Sequence, residues 1–419
     1  MPKGCASRSC LKQTDDFNPN HWSMKIVYSA PNRAHHYSYA RELHQAGILK
    51  AFVSGFPRIS PRAAIPEIGT ALSRVDQLQT LFIASQKLRL PRFISEELAY
   101  WAKIQLDRAS SRALSDADIF LYYNGCGLES ARSFRRNGGL TIVEVVNSQV
   151  QVQEQLMQEE YQRLGLAWRP FHPRETRRRV SEAEEADYVL LPSAFVARSF
   201  LAKGISAQQL LRVPYPVHKI AGASVSTPKP SQDDSVFRIL YVGSISVRKG
   251  LRYLIEAFRQ LKHPQKELWI VGPTSSPTGL EKMSMPVGIK FWGTLKGDAL
   301  QEVYAKSTVF CLPSIEEGQA LVLSEALTYG LPIIATENTG IEDLLVEGKG
   351  GMVVPIRDPG AIAGFLNRLV EDRNYLEIKR QEALDTATRL KDLVKTPVTL
   401  SATLLKTFDQ HRSHANAAN

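Results

Sequence analysis

Two successive runs of apolar strand and amphipathic helix, separated by one stretch rich in proline, serine and lysine, predict an α/β protein of two doubly wound domains facing across a cleft. The strand runs are nearly continuous in apolar residues, as in parallel sheets covered on both faces. A chain of 419 residues also exceeds what one core usually serves, and with 43% apolar residues it can build two.

The first domain is expected over residues 24–218. It opens on the strand "KIVYS", followed by the loop "APNRAHH" and a helix near Tyr37–Ala46 that stops at Gly47, a residue suited to a helix C-terminus. A polar and basic interval follows, then helical patterning across Ile94–Ser110. The strands "IFLYY" and "GLTIVEVV" flank a short helix bracketed by Gly127 and Gly138–Gly139. A charged helix over 151–166 and the segment "RPFHPRETRRRVSEAEEA" lead to the strand "DYVLLPS". Residues 1–23 contain no apolar signal-peptide core and are expected to be a disordered extension.

The linker is expected over residues 219–235 and the second domain over 236–395. "FRILYVG" supplies the first strand, and Leu251, Leu254, Ile255, Phe258 and Leu261 then recur on one helical face. "ELWIVG", "GIKFWG", "VFCLP", "LPIIAT" and "MVVP" read as further strands, with helices around Asp298–Lys306 and Ala320–Tyr329. Asp358 and Pro359 suit the N-cap and first turn of a helix through Val370. A last helix over 396–413 is expected to pack back on the first domain.

Lysine and arginine number 52 against 42 acidic residues, and the formal charge of +10 favours a phosphate-bearing ligand or an anionic membrane surface without choosing between them. No nucleic-acid recognition module accompanies this charge, so nucleic acid is not an expected partner. The four cysteines lack metal-binding or disulfide spacing, which fits a reducing compartment. No apolar run is long enough to span a bilayer. "KLRLPRF" and "RPFHPRETRRR" mix cations with Leu and Phe, and fit either a membrane-facing surface or a solvated basic face.

Ligands of open α/β sheets sit at the carboxyl ends of the strands. There Gly243 and Ser244 end the first strand of the second domain, Arg248 and Lys249 open the helix after it, and Gly272 ends the next strand. "GSISVRKG" reads either as a cradle for phosphate oxygens with Lys249 as counter-charge, or as a basic turn that caps a helix. It has neither Walker spacing nor a dinucleotide fingerprint. In "SIEEGQALVLSEALTYG", Gly318 admits a close backbone approach, and the helix starting near Ala320 directs its positive end at the cleft. Glu325 lies inside a helix apolar enough to be buried, so its carboxylate needs a partner. The paired hydroxyls of a ribose suit it, and Glu317 suits those of a second sugar. In the other reading Glu317 is a partner of the helix dipole and Glu325 a surface residue.

The stretches "VGSISVRKGLRYLIEAF", "EGQALVLSEALTYGLPIIAT" and "NTGIEDLLVEGKGGMVVPIRDPGAIAGFLNRLVED", with "ADYVLLPSAFVARSFLAKGI" upstream, resemble the retaining glycosyltransferases of family four. The resemblance is strong over residues 236–375 and recognisable over 185–220. It implies the GT-B fold, two Rossmann-like domains with the acceptor in the first and a nucleotide sugar in the second. Glu317 and Glu325 match the ends of the family's glutamate, seven residues, glutamate motif. The resemblance therefore implies Glu325 on the nucleotide ribose, Glu317 on the transferred sugar and Lys249 on the donor diphosphate, with Gly318, Gln319, Ala320 and Leu321 beside the donor. It also implies a reaction without a bound metal or cofactor, the nucleotide-diphosphate sugar being a substrate. The expected activity is hexosyl transfer to a saccharide or lipid-linked saccharide in surface polysaccharide or glycolipid synthesis. Its expected place is the cytoplasm, with room for peripheral contact at the inner face of the membrane.

Several positions depart from the family pattern. Ser244 stands where an arginine is usual, leaving Arg248 to supply the charge. Gly318, Gln319 and Ala320 replace a glycine, aromatic, glycine run, the loop "APNRAHH" has no glycine, and Pro216 replaces another. The histidine that relatives often carry after the strand "TIVEVV" is matched by Asn147 or Ser148, neither a proton acceptor at neutral pH, so no general base is assigned. Arg33 is the electrostatic candidate in the first loop, beside His35 and His36. A sugar-phosphate synthase or phosphorylase of the same fold, and a catalytically degenerate sugar-nucleotide-binding protein, stay open as alternatives.

Overall fold

The computed structural model describes residues 24–215, 235–393 and 399–418. The expected extension over 1–23, Pro216 and all of the expected linker except Ser235 lie outside them.

The first sheet contains β1 (Ile26–Ala30), β2 (Leu49–Ser54), β3 (Leu72–Arg74), β4 (Ile119–Tyr123), β5 (Leu140–Glu144), β6 (Tyr188–Leu191) and β7 (Leu210–Arg212). They run parallel in the order β3-β2-β1-β4-β5-β6-β7. Side chains alternate across the sheet: Ile26 and Tyr28 enter one apolar cluster, and Val27 enters the other. Helices α1 (His36–Gln45), α2 (Gln77–Lys87), α3 (Arg92–Ser111), α4 (Leu128–Arg136), α5 (Val150–Arg163), α6 (Pro173–Glu185) and α7 (Ala194–Leu201) connect or cover these strands.

The second sheet contains β8 (Phe237–Val242), β9 (Lys266–Val271), β10 (Ile289–Gly293), β11 (Val309–Leu312), β12 (Ile333–Thr336) and β13 (Gly351–Val354). Its parallel order, β10-β9-β8-β11-β12-β13, repeats the logic of the first. It is accompanied by α8 (Leu251–Gln260), α9 (Asp298–Ala305), α10 (Leu321–Thr328), α11 (Pro359–Glu371) and α12 (Arg373–Leu393). Asp358 caps α11 through its side chain, which accepts from the Ala361 amide at 2.8 Å. The last helix, α13 (Leu400–Ala418), returns to the first domain. There Leu400 and Leu404 join the core beside α1, and the Glu42 carboxylate accepts from the Ser401 amide at 2.8 Å.

The structure corrects two local expectations. The polar and basic interval after Gly47 holds β2, β3 and α2; the strands are short or half-buried, so neither shows a sustained apolar run. Arg248 and Lys249 do not open a helix but occupy a 3₁₀ turn over Val247–Lys249, and α8 begins after it. Gly250 separates the two with φ of 62°, where an added Cβ would strike the Pro313 carbonyl.

In both sheets the strand order reverses beside the first strand, between β1 and β4 and between β8 and β11. Crevices form at such points, outside the carboxyl ends of the strands. The loops after β1 and β11 supply opposite walls of one cavity, so the two crevices face each other.

Candidate active site

Glu317 follows β11 in a loop held from several sides. Arg248 accepts from the Ile315 amide through its carbonyl at 2.8 Å, Asn338 donates to the Ile315 carbonyl at 2.8 Å, and the Ala320 amide donates to Thr339 at 3.1 Å. The Glu317 carboxylate pairs with Lys249 and lies 3.2 Å from the Arg248 guanidinium. Burial pushes the Glu317 carboxyl up, but Lys249 and Arg248 outweigh it and hold the group below the usual carboxylate range. Burial pulls Lys249 down from its ordinary value, against the pull of Glu317. The three groups form one compact charged cluster at the second domain's switch point.

Glu325 sits on α10, away from that cluster's ion pairs. Its carboxylate accepts from the Tyr304 hydroxyl at 3.0 Å, and the Tyr304 ring stacks on Tyr329 with centroids 5.2 Å apart. Burial raises the Glu325 carboxyl, and the Tyr304 bond only partly opposes that. The need for a partner inferred from the apolar helix is thus met in this structure by a tyrosine.

The remaining candidates from the second domain line up along the strand ends. The Ser244 carbonyl accepts from Tyr241 at 2.7 Å, and Gly272, with φ of 144°, lies so close to Gly243 that a Cβ would meet its carbonyl. Gly318 is pressed against the first domain: a Cβ there would collide with the Val146 carbonyl, while Ser193 donates to the Gly318 carbonyl at 2.6 Å. Gln319 accepts from the Tyr215 amide at 2.6 Å, Ala320 is buried, and Leu321 begins α10.

From the first domain, Asn147 lines a cavity of about 170 Å³ together with Asn32, His35, Tyr123, Tyr215 and Glu317. Arg33 is not among the lining residues; its guanidinium lies 5.6 Å from the Tyr37 ring centroid. His35 and His36 do line the cavity, and both are buried against Glu144. Tyr28 donates to the same carboxylate at 2.7 Å. Burial pushes Glu144 up, and the two histidines outweigh it and hold it far below the usual range. His35 Nε2 meets Glu144 and His36 Nδ1 meets Tyr28, so the cluster serves here as a rigid floor. The lone carboxylate in the apolar run "TIVEVV" was the available signal for it.

Glu316 was missed beside its neighbour. It is fully buried and accepts from the Ser148 amide at 3.0 Å, the Ser148 hydroxyl at 2.8 Å and Gln153 at 3.0 Å, all from the first domain. Ser148 is therefore a domain contact.

Two parallel Rossmann-like domains meeting at their strand ends define the GT-B fold, and comparison with known proteins agrees. The sucrose-phosphate synthase of Thermosynechococcus elongatus superposes with a TM-score of 0.63 at 17% identity, over 94% of this chain and 100% of that one. Anabaena HepE in complex with UDP gives 0.61 at 14% identity, with the same coverage of both chains. Residues 236–372 match the family model described as glycosyl transferases group 1. The sulfoquinovosyl transferase SQD2 of Arabidopsis thaliana is 30% identical over 206 residues, 46% of this chain and 39% of that protein. The lipopolysaccharide 1,6-galactosyltransferase of Salmonella typhimurium is 31% identical over 198 residues, 44% of this chain and 53% of that protein. The chain thus spans about half or less of the curated relatives it matches.

Proposed function

We propose that the protein is a retaining glycosyltransferase that moves a hexose from a nucleotide-diphosphate sugar to a saccharide or lipid-linked saccharide. The observation carrying this reading is the Glu317, Lys249 and Arg248 cluster at the switch point of a domain that matches a glycosyltransferase model, with Glu325 eight residues along the same loop and helix. Glu325 would exchange Tyr304 for the two ribose hydroxyls, and Glu317 would hold hydroxyls of the transferred sugar. The diphosphate would lie along Gly243, Ser244, Gly272 and the amides at the start of α10. As the bond between the anomeric carbon and the diphosphate oxygen breaks, its electron pair leaves with the diphosphate, beside Lys249 and Arg248. The acceptor oxygen bonds to the same face of that carbon, and its proton passes to the departing diphosphate. These residues act by positioning and charge stabilisation, in a reaction proposed to need neither metal nor cofactor.

Among the described residues no helix is long and apolar enough to cross a membrane. We place the protein in the cytoplasm, resting on the anionic inner face of a membrane during surface polysaccharide or glycolipid synthesis. The tip between α2 and α3 supports that contact: Leu88 is 72% and Phe93 68% exposed, with Lys87, Arg89 and Arg92 around them. In the second basic stretch Arg169 and Arg177 are exposed, while two arginines are held by carboxylates. Arg174 pairs with Glu97, and Arg178 with Asp107.

Calorimetric titration with UDP, GDP, ADP and their hexose conjugates, with and without EDTA, tests the reading. One base should bind selectively, and Glu325→Ala should weaken it by about tenfold to a hundredfold. Glu317→Gln should mainly lower turnover. Folded wild-type protein that binds no nucleotide would overturn the proposal.

A further inference from the structure

A groove on the outer edge of the first sheet gathers three arginines and no acid. It is lined from β3, the start of α2 and the second half of α3, and it shares no lining residue with the cavity between the domains. Its volume of about 790 Å³ is that of a small-molecule site. Arg74 comes from β3, and Arg108 and Arg112 from α3. The carboxylates closest in sequence to Arg74 and Arg108 are already used. Asp76 pairs with Arg58 at 2.7 Å, while the buried Asp107 pairs with Arg178 and accepts from the Glu129 and Ser130 amides at 3.0 Å.

Elsewhere on the helices arginines four residues from an acid pair with it, as Arg92 does with Glu96 and Arg252 with Glu256. Arg108 and Arg112 instead put like charges one turn apart, which destabilises a helix unless an anion offsets them. Among the described residues neither meets a carboxylate. The walls are held in place. Arg74 donates to the Ala63 carbonyl at 2.6 Å and to the Phe56 carbonyl at 3.5 Å, which anchors its guanidinium without neutralising it. Gln105 ties α3 to the start of α2, accepting from the Leu78 amide at 3.3 Å and donating to Gln77 at 3.2 Å.

Three guanidinia suit a group with more than one negative charge, which a phosphate supplies and a single carboxylate does not. Trp101, 44% exposed, adds an aromatic wall for the carbon part of a ligand. On α3 Phe93, Trp101, Arg108 and Arg112 fall within about 100° of arc, so the arginines share a face with the apolar tip of the hairpin.

We propose that this groove is a second anion site, separate from the donor cleft, that holds the phosphate of a ligand among Arg74, Arg108 and Arg112 with its carbon part against Trp101. A lipid headgroup and a free phosphate compound present the same group. The phosphate site rests on the groove alone; a lipid source rests on the membrane contact proposed above.

Calorimetric titration of the full chain would use monomeric dihexanoyl phosphatidic acid, glycerol 3-phosphate as the free arm, and dihexanoyl phosphatidylcholine as the arm without net charge. At least one of the first two should bind, and Arg108→Gln combined with Arg112→Gln should weaken it at least about tenfold. Phosphatidic acid bound more tightly than glycerol 3-phosphate, with the excess lost in Trp101→Ala, supports the site with a lipid as its source. Equal binding of the two supports it with a free phosphate compound. The double variant should melt at the wild-type temperature or slightly above, having lost a like-charge pair, and should bind nucleotide within about twofold of wild type. The proposal fails if folded wild-type protein binds neither phosphate, if the double variant binds as tightly, or if phosphatidylcholine binds as well as phosphatidic acid. Phosphate binding that depends on the two arginines, in protein without affinity for vesicles, would uphold the site and sink the membrane contact.

Discussion

At the scale of single residues, Glu325 carries the clearest measurable consequence. Its carboxyl is raised by burial, while the ionised form is the one that accepts both hydroxyls of a ribose. Nucleotide affinity should therefore fall as pH drops through the raised value, beginning above the ordinary carboxylate range. Between about pH 8 and about pH 5, wild-type protein should lose more affinity than Glu325→Gln, whose amide does not titrate. Equal pH profiles in the two proteins, measured calorimetrically with the same nucleotide so that phosphate titration cancels, would remove Glu325 from the ribose. Glu325 and Glu317 were legible because a carboxylate in an apolar helix and a carboxylate before a helix start are both local features. Glu316 was not, since nothing in "SIEEG" distinguishes it from Glu317 until Ser148 and Gln153 are brought against it.

Among the elements, the α2 to α3 hairpin is the one whose sequence reading stayed open and whose structure suggests a use. "KLRLPRF" forms its exposed tip, and Leu81 at 54% and Trp101 at 44% exposure extend the apolar surface along both helices. Burying Leu88 and Phe93 in the headgroup region would contribute about 1.5–3 kcal/mol each at full burial, and the nearby cations favour anionic lipid. The double variant Leu88→Glu and Phe93→Glu should bind vesicles containing phosphatidylglycerol at least about tenfold more weakly, with little change in nucleotide affinity. Vesicle binding that is absent in wild-type protein, or unchanged in the variant, would refute the membrane contact. The half-buried β2 and the three-residue β3 escaped the sequence reading for a related reason. β3 is a three-residue edge strand, too short to show a period, and β2, between β1 and β3, is interrupted by Lys50 in its half-buried first half.

Across the whole molecule, the domains meet through polar groups beside a smaller apolar contact made by Leu156. Glu316 accepts from Ser148 and Gln153, Glu160 accepts from Tyr253 at 2.8 Å and from Arg357 at 2.7 Å, and Asp343 accepts from the Ala194 amide at 2.7 Å. Polar interfaces of this kind permit domain motion, so closure should be sensitive to a single buried partner. Glu316→Ala leaves Gln153 and the Ser148 hydroxyl without their acceptor, at about 1–3 kcal/mol, which shifts an open-to-closed equilibrium by roughly five- to 150-fold. Small-angle scattering should then report a larger radius of gyration, and sugar-nucleotide binding should restore part of the compaction. An unaltered scattering curve with and without ligand would show that Glu316 does not hold the domains together.

What the sequence by itself determined is the double α/β succession, the strands of the second domain and the placement of Glu317 before, and Glu325 inside, one helix. All of these follow from apolar period, helix starts and spacing within a few dozen residues. Only the tertiary structure decided that Lys249 and Arg248 face Glu317 across 68 and 69 positions of chain, that Glu316 faces Ser148 across 168, and that Asn32 and Tyr215 share a cavity. The reason is electrostatic as much as geometric. A buried charge or hydroxyl needs a partner, but the sequence does not say which of many distant groups the fold will bring to it.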